Sequence, residues 1–214
     1  MAEVGMVSYG IGNIRSVENA LKYNGHNVGK IISPDDFSKF DVVVLPGVGA
    51  FGKCVEKLKS HNFLESLKAV GESGQKLIGI CVGHQLCYEG SEESKSALGM
   101  GIYDTEIKHI STLPTQSFAA KISNEGPSKV LHYPNVGYRE IFPVSDEVKI
   151  PLNFFLGKYY FVHSYGADAE KDKNCLAYTV YNGRKISAIS KKNNLITFQF
   201  HPERSRDIGL RLLD

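Results

Sequence analysis

Cys81 lies between two glycines in Gly79-Ile80-Cys81-Val82-Gly83, directly after Lys76-Leu77-Ile78. Glycines two before and two after a small nucleophile permit a sharp strand-to-helix turn that lifts the side chain clear of a sheet. Beside a helix N-terminus, the partial positive charge of the backbone favours the thiolate, the form of cysteine that attacks carbon. Without its glycines, Cys81 would read as a small core hydrophobe. A second reactive group comes 120 residues later, at His201-Pro202-Glu203. Pro202 holds His201 extended, and in an extended segment residues i and i+2 share a side, which predicts that Glu203 reaches the imidazole. A carboxylate there fixes the tautomer of a catalytic histidine and stabilises its charged form. A lone His-Pro-Glu is usually an exposed polar turn. Together with the cysteine turn, it predicts a Cys-His-Glu triad.

Three further groups are weighed against plainer readings. Pro46-Gly47-Val48-Gly49-Ala50-Phe51 is either an ordinary strand-end turn or a loop whose N–H groups approach substrate, and its position at the same sheet edge as Cys81 favours the second. Cys81, His84 and Cys87 spread around a helix with no fourth ligand, so no metal site is expected. His84 instead reads as a satisfied helix residue close to the nucleophile, one that could also raise its thiolate content. The turn at Gly10 and Gly12 lacks the third glycine and the lysine of a phosphate loop, so no nucleotide cofactor is expected.

The elements that must position these groups are legible in the periodicity. Val4 to Ser8, Asn27 to Ile32 and Asp41 to Leu45 read as strands, the third stopping at Pro46-Gly47. Between and after them, Ile14, Val17, Ala20 and Leu21, and then Phe63, Leu64, Leu67 and Val70, recur at helical spacing. Ser33-Pro34-Asp35-Asp36 is a helix-start signal. Alternating strands and helices predict an α/β fold with a parallel sheet covered on both faces. Beyond Gly99 the segments shorten: Ile102 to Ile107, Phe118 to Ile122, Tyr159 to Val162 and Leu176 to Tyr181 read as strands. Ile186 to Ser190 and Leu195 to Phe200 form a hairpin about Lys191 to Asn194, and Asp207 to Leu213 closes the chain as a short helix. The absence of repeats and linkers predicts a single domain over residues 1–214.

A net charge of +2 gives no electrostatic case for nucleic acid, and the pairs Arg184-Lys185 and Lys191-Lys192 read as solvated strand ends. No apolar run approaches the roughly 20 residues that span a bilayer. Met1 to Met6 carries no secretory signal, and the four cysteines, Cys54, Cys81, Cys87 and Cys175, have no framework spacing. Reduced thiols and a cytoplasmic location are expected.

The stretches Tyr9 to Val17, Leu45 to Phe51, Gly79 to Gln85, Tyr160 to Tyr165 and Phe198 to Ser205 together resemble the class I (triad) glutamine amidotransferases over nearly the whole chain. Within that class the resemblance is closest to the glutaminase subunits of imidazole glycerol phosphate synthases. It implies the flavodoxin-like class I glutamine amidotransferase fold, a mostly parallel sheet with helices on both faces and additional antiparallel strands. It also implies that Cys81 attacks the side-chain amide carbon of glutamine, with His201 as base and acid and Glu203 as its orienting partner. The Val82 N–H and the Gly47-Val48 backbone would hold the oxyanion, and Gln85, Glu93, Ser164 and Tyr165 the amino-acid end of glutamine. The two glycines around Val48 suggest that its peptide flips into place when a partner binds.

The family partner is a (β/α)8-barrel cyclase subunit in a heterodimer. It receives the ammonia and closes an imidazole ring in histidine biosynthesis. The chain departs from the pattern at three places. Pro134-Asn135-Val136-Gly137-Tyr138 stands where the histidine-pathway members show Pro-His-Met-Gly-Trp; Val82 and His84 replace a leucine and a methionine; Arg204 replaces an interface lysine. These changes keep open a paralogous glutaminase that feeds a cyclase-like partner in amidating a surface sugar. A non-catalytic partner-binding module is the weaker alternative.

Overall fold

The computed structural model describes residues 1–12, 14–115, 132–145, 147–148 and 151–214. The N-terminal half alternates β1 (Glu3–Val7), α1 (Ile14–Tyr23), β2 (Asn27–Ile31), β3 (Val42–Gly47), α2 (Phe51–Ser60), α3 (Phe63–Ser73), β4 (Lys76–Cys81) and the single turn α4 (Val82–Gln85). The short strands β5 (Lys108–His109), β6 (Asn135–Glu140) and β7 (Phe142–Pro143) follow. Then come β8 (Lys158–His163), β9 (Tyr165–Gly166), β10 (Cys175–Tyr181), β11 (Arg184–Lys192), β12 (Leu195–Phe198) and α5 (Arg206–Leu212).

Eight strands form one sheet in the order β2-β1-β3-β4-β12-β11-β10-β7. The first five are parallel, the 2-1-3-4-5 arrangement of flavodoxin-like sheets, with the last strand of the chain completing it against β4. The other three extend it as antiparallel strands. Two small pairs, β5-β9 and β6-β8, lie outside it.

Buried valines and leucines of β3 (Val43, Val44, Leu45) and β4 (Leu77, Ile80) read as near-continuous apolar runs because helices cover both faces. α1 contributes Val17, Ala20 and Leu21 to that cover, and α3 contributes Phe63, Leu64, Leu67 and Val70. Each fully buried aliphatic or Phe side chain is worth about 1.5–3 kcal/mol, enough to hold a helix whose intrinsic stability in water is marginal.

Several boundaries depart from the periodicity. β3 continues through Pro46 and Gly47, paired with Ile80 and Cys81 of β4. Proline is tolerated there because β1 reaches only as far as Val44 on the other side, so no ladder donor is lost. Ile102 to Ile107 is not a strand: it makes single bridges, Tyr88 to Tyr103 and Ser91 to Ile107. β12 stops at Phe198, two residues early, as the backbone leaves the ladder and His201 N–H donates to the Tyr160 carbonyl of β8 at 2.9 Å. The hairpin turn narrows to Asn193 and Asn194, with Asn193 at φ 54°. Ser33 to Asp36 opens a 3-10 turn, Pro34–Lys39, rather than a full helix. Asn13 and the expected strand Phe118 to Ile122 lie outside the described residues. Among the described residues no helix is long and apolar enough to cross a membrane.

Candidate active site

Cys81 ends β4 at φ 55° and ψ −109°, a conformation that L residues rarely adopt. The glycines make room for the turn. A Cβ on Gly79 would lie 2.8 Å from the Gly83 carbonyl oxygen and from Thr197 Cγ2, and one on Gly83 would run into the Leu45 carbonyl of β3. Gly83→Ala therefore sets backbone against backbone. It is expected to lower stability by about 3 kcal/mol and to displace Cys81, which a denaturant midpoint measured alongside glutamine turnover checks.

The helix after Cys81 is one turn long, so it adds little dipole to the N–H groups that face the cysteine. His201 instead places a positive charge beside Cys81. Its Nδ1 is 2.8 Å from Glu203 Oε1, and because a carboxylate only accepts, Nδ1 carries the proton. The contact is the predicted one, but it is made across a 3-10 turn, Pro202–Arg204, rather than along an extended strand. The Glu203 side chain is 1% exposed. Burial opposes a charge on His201, but the interactions with Cys81 and Glu203 outweigh it and push the ring up to about 10. His201 Nε2 is buried without a formed hydrogen bond among the described residues. Catalytic contacts are often loose before substrate arrives.

One cavity of about 340 Å³ brings together Cys81, Val82, His201, Val48, Gln85, Glu93, Ser164 and Tyr165, with Gly49, Pro134, Val162 and His163 completing its wall. Gly47 lies directly behind, paired with Cys81 across β3 and β4. The segment from the end of β3 to the start of α2 is anchored at three points. Tyr9 OH donates to the Pro46 carbonyl at 2.8 Å, Cys54 Sγ approaches the Val48 carbonyl at 3.8 Å, and Glu93 Oε2 accepts from Phe51 N–H at 2.8 Å. Glu93 thus ties down α2 as well as lining the cavity. Gln85 donates its side-chain amide to the Tyr165 carbonyl at 2.9 Å and to Gln199 Oε1 at 3.1 Å, so it braces the wall that Tyr165 forms.

His84 does not serve the thiolate. Its ring is fully buried, with Nδ1 2.7 Å from Thr197 Oγ1 and Nε2 3.4 Å from Tyr88 OH. Burial drives its pKa down to about 3, so the ring stays neutral and cannot offer a positive charge. Cys87 points away as well, its Sγ on the Gly83 carbonyl. Among the described residues no group of three His, Cys, Asp or Glu converges on a metal position.

A histidine held neutral when folded but free to protonate when unfolded costs stability in acid. Its contribution vanishes above the ordinary value near 6.5 and grows as pH falls from there towards 3. His84→Met should therefore lose less stability than the parent between pH 7 and pH 4.5, read from urea midpoints, while turnover at pH 7 stays within a few-fold.

Tyr9, Cys54, Asn135 and His163 were not singled out as site residues by the sequence. For His163 a signal existed: in Lys158–His163 the inward positions are Tyr159, Phe161 and His163, an imidazole where the alternation calls for a third aromatic or aliphatic group.

The family profile for class-I glutamine amidotransferases matches residues 7–209. The chain is 33% identical over 222 aligned positions to imidazole glycerol phosphate synthase subunit HisH 1 of Legionella pneumophila (strain Lens), covering 100% of this chain and 97% of that protein. It is 36% identical to subunit HisH of Bacillus cereus (strain G9842), covering 98% and 91%. Among solved structures it resembles PurLQS from Thermotoga maritima, with TM-score 0.69, 16% identity and coverage of 100% and 97%. It also resembles a glutamine amidotransferase crystal structure, with TM-score 0.67, 14% identity and coverage of 98% and 96%. A profile match over nearly all its length, together with full-length relatives above 30% identity, makes this chain a member of the class-I glutamine amidotransferase family.

Proposed function

We propose that this protein hydrolyses glutamine to glutamate and ammonia and supplies the ammonia to a (β/α)8-barrel cyclase subunit that forms imidazole glycerol phosphate. The observation that carries the reading is the meeting of a strained cysteine with a Glu-paired, charge-favouring histidine in one cavity. The Cys81 thiolate adds to the amide carbon of glutamine, and the oxyanion falls to the Val82 N–H and the Gly47-Val48 peptide, each such donor being worth about 3 kcal/mol of barrier. The imidazolium of His201 then gives its proton to the departing nitrogen, ammonia leaves, and a glutamyl thioester remains. His201 next takes a proton from water, which attacks the thioester and releases glutamate. Gln85, Glu93, Ser164 and Tyr165 hold the amino-acid end of the substrate in this reading. Residues 1–214 act as one glutaminase domain, and the thiol chemistry suits a reducing, cytoplasmic setting.

The HisH relatives favour the histidine pathway over the surface-sugar alternative. The partner would sit against β6, where Val136 and Tyr138 are 48% and 38% exposed and Tyr138 OH donates to the Arg204 carbonyl of the catalytic turn at 3.1 Å. The test is ammonia release from glutamine with and without the cognate barrel subunit. Stimulation by that subunit, with imidazole glycerol phosphate formed when its substrate is present, is expected. Stimulation only by a cyclase-like subunit from a surface-sugar pathway would reassign the acceptor.

A further inference from the structure

His163 lies on the inward face of β8 and is 6% exposed, and both its ring nitrogens are engaged. Nδ1 is 2.8 Å from the Tyr165 carbonyl, which can only accept, so Nδ1 carries a proton. Nε2 is 3.0 Å from Asn135 Nδ2, a donor, so Nε2 offers a lone pair. The two neighbours together select one neutral tautomer. Burial agrees, lowering the pKa of the ring to about 4, and the nearby His201 charge acts in the same direction. The Tyr165 carbonyl also accepts from Gln85 of α4. Its two lone pairs are thus taken by donors from the strand that leads into it and from the helix that follows the nucleophile.

We propose that Asn135 and His163 are a pair of positioning residues: Asn135 fixes the His163 tautomer, and His163 fixes the Ser164-Tyr165 wall of the cavity in register with Cys81. The proposal rests on the glutaminase reading and deepens it. It also gives β6 a route to the site. Asn135 is the fully buried first residue of that strand, whose next residues Val136 and Tyr138 are exposed. A load on the outer face of β6 reaches the glutamine wall through one hydrogen bond and one ring.

Two measurements test this. With the barrel subunit present, His163→Leu removes both bonds and should raise the KM for glutamine about tenfold, with kcat changed less than about threefold. His163→Asn puts an amide donor near the position of Nδ1 and should bring KM back to within about threefold of the parent. A fall in kcat with KM unchanged, or an asparagine variant no better than leucine, would overturn the proposal. Independently of turnover, ring 15N NMR at pH 7 should show His163 neutral with the proton on Nδ1. In Asn135→Asp, whose carboxylate only accepts, the ring should become doubly protonated. A parent ring protonated on Nε2, or a ring indifferent to Asn135→Asp, also refutes the pairing. Should the parent hydrolyse no glutamine, the glutaminase reading fails by itself, while the ring spectra still decide whether the pair exists.

Discussion

Cys81→Ala is expected to lower glutamine hydrolysis at least about 10⁴-fold, because no other group in the cavity can form the glutamyl thioester. Adding His201→Ala to that variant should cost little more, since the two side chains act as one unit and the first loss already disables it. The backbone supplies a second, opposite effect. At φ 55° and ψ −109° a side chain costs about 1–3 kcal/mol that glycine does not. Cys81→Gly should therefore be as inactive as Cys81→Ala yet melt higher, by about 2–4 °C for each kcal/mol regained. Ammonia release and calorimetry on the two variants read both effects. Turnover above about one per cent in either variant would move the nucleophile elsewhere, and a glycine variant that melts no higher than alanine would deny that the turn stores strain.

Glu203→Gln should lower kcat by about 10³–10⁴-fold with little change in KM. The carboxylate holds Nδ1 protonated and helps to keep His201 charged. An amide can turn its NH2 towards the ring, which selects the wrong tautomer and removes the negative charge that offsets burial of the imidazolium. Without that charge the proton delivered to departing ammonia is harder to hold, so the thioester forms slowly. Steady-state kinetics over a pH series make the check. The base-side limit set by His201, near 10 in the parent, should move to lower pH in the variant. A loss below tenfold would reduce Glu203 to a packing role.

How far the sequence carries the reader depends on the range of the interaction involved. The glycine-flanked cysteine and the His-Pro-Glu turn are local patterns, and the fold brings them to one cavity with the loop after β3. The parallel half of the sheet followed from periodicity because buried strands and amphipathic helices carry strong, regular signals. Boundaries failed where long-range pairing decided them. Pro46 stays in β3 because only one neighbour needs its edge, and β12 ends early because β8 captures His201. His84 is the satisfied helix residue expected, but its burial against Thr197, 113 residues away, which keeps it neutral and withholds help from the thiol, was not legible. The bracing by Tyr9 and Asn135 was illegible for the same reason: each acts on a carbonyl or ring supplied by a distant segment.

The seat of β12 beside β4 would set the timing of the first turnover on the proposed mechanism. His201 and Glu203 follow the strand that is made last, yet that strand pairs with the one that ends in Cys81. At about 5–20 residues per second, ribosomes need roughly 6–24 s to pass from Cys81 to His201. Throughout that interval His201 is absent from the cysteine turn, and β4 lacks the strand that pairs with its second edge. On the proposed mechanism, no ammonia would be released before residues 201–203 have left the ribosome and docked. During the same interval the unpaired edge of β4 is a template for foreign strands until Leu195–Phe198 arrive.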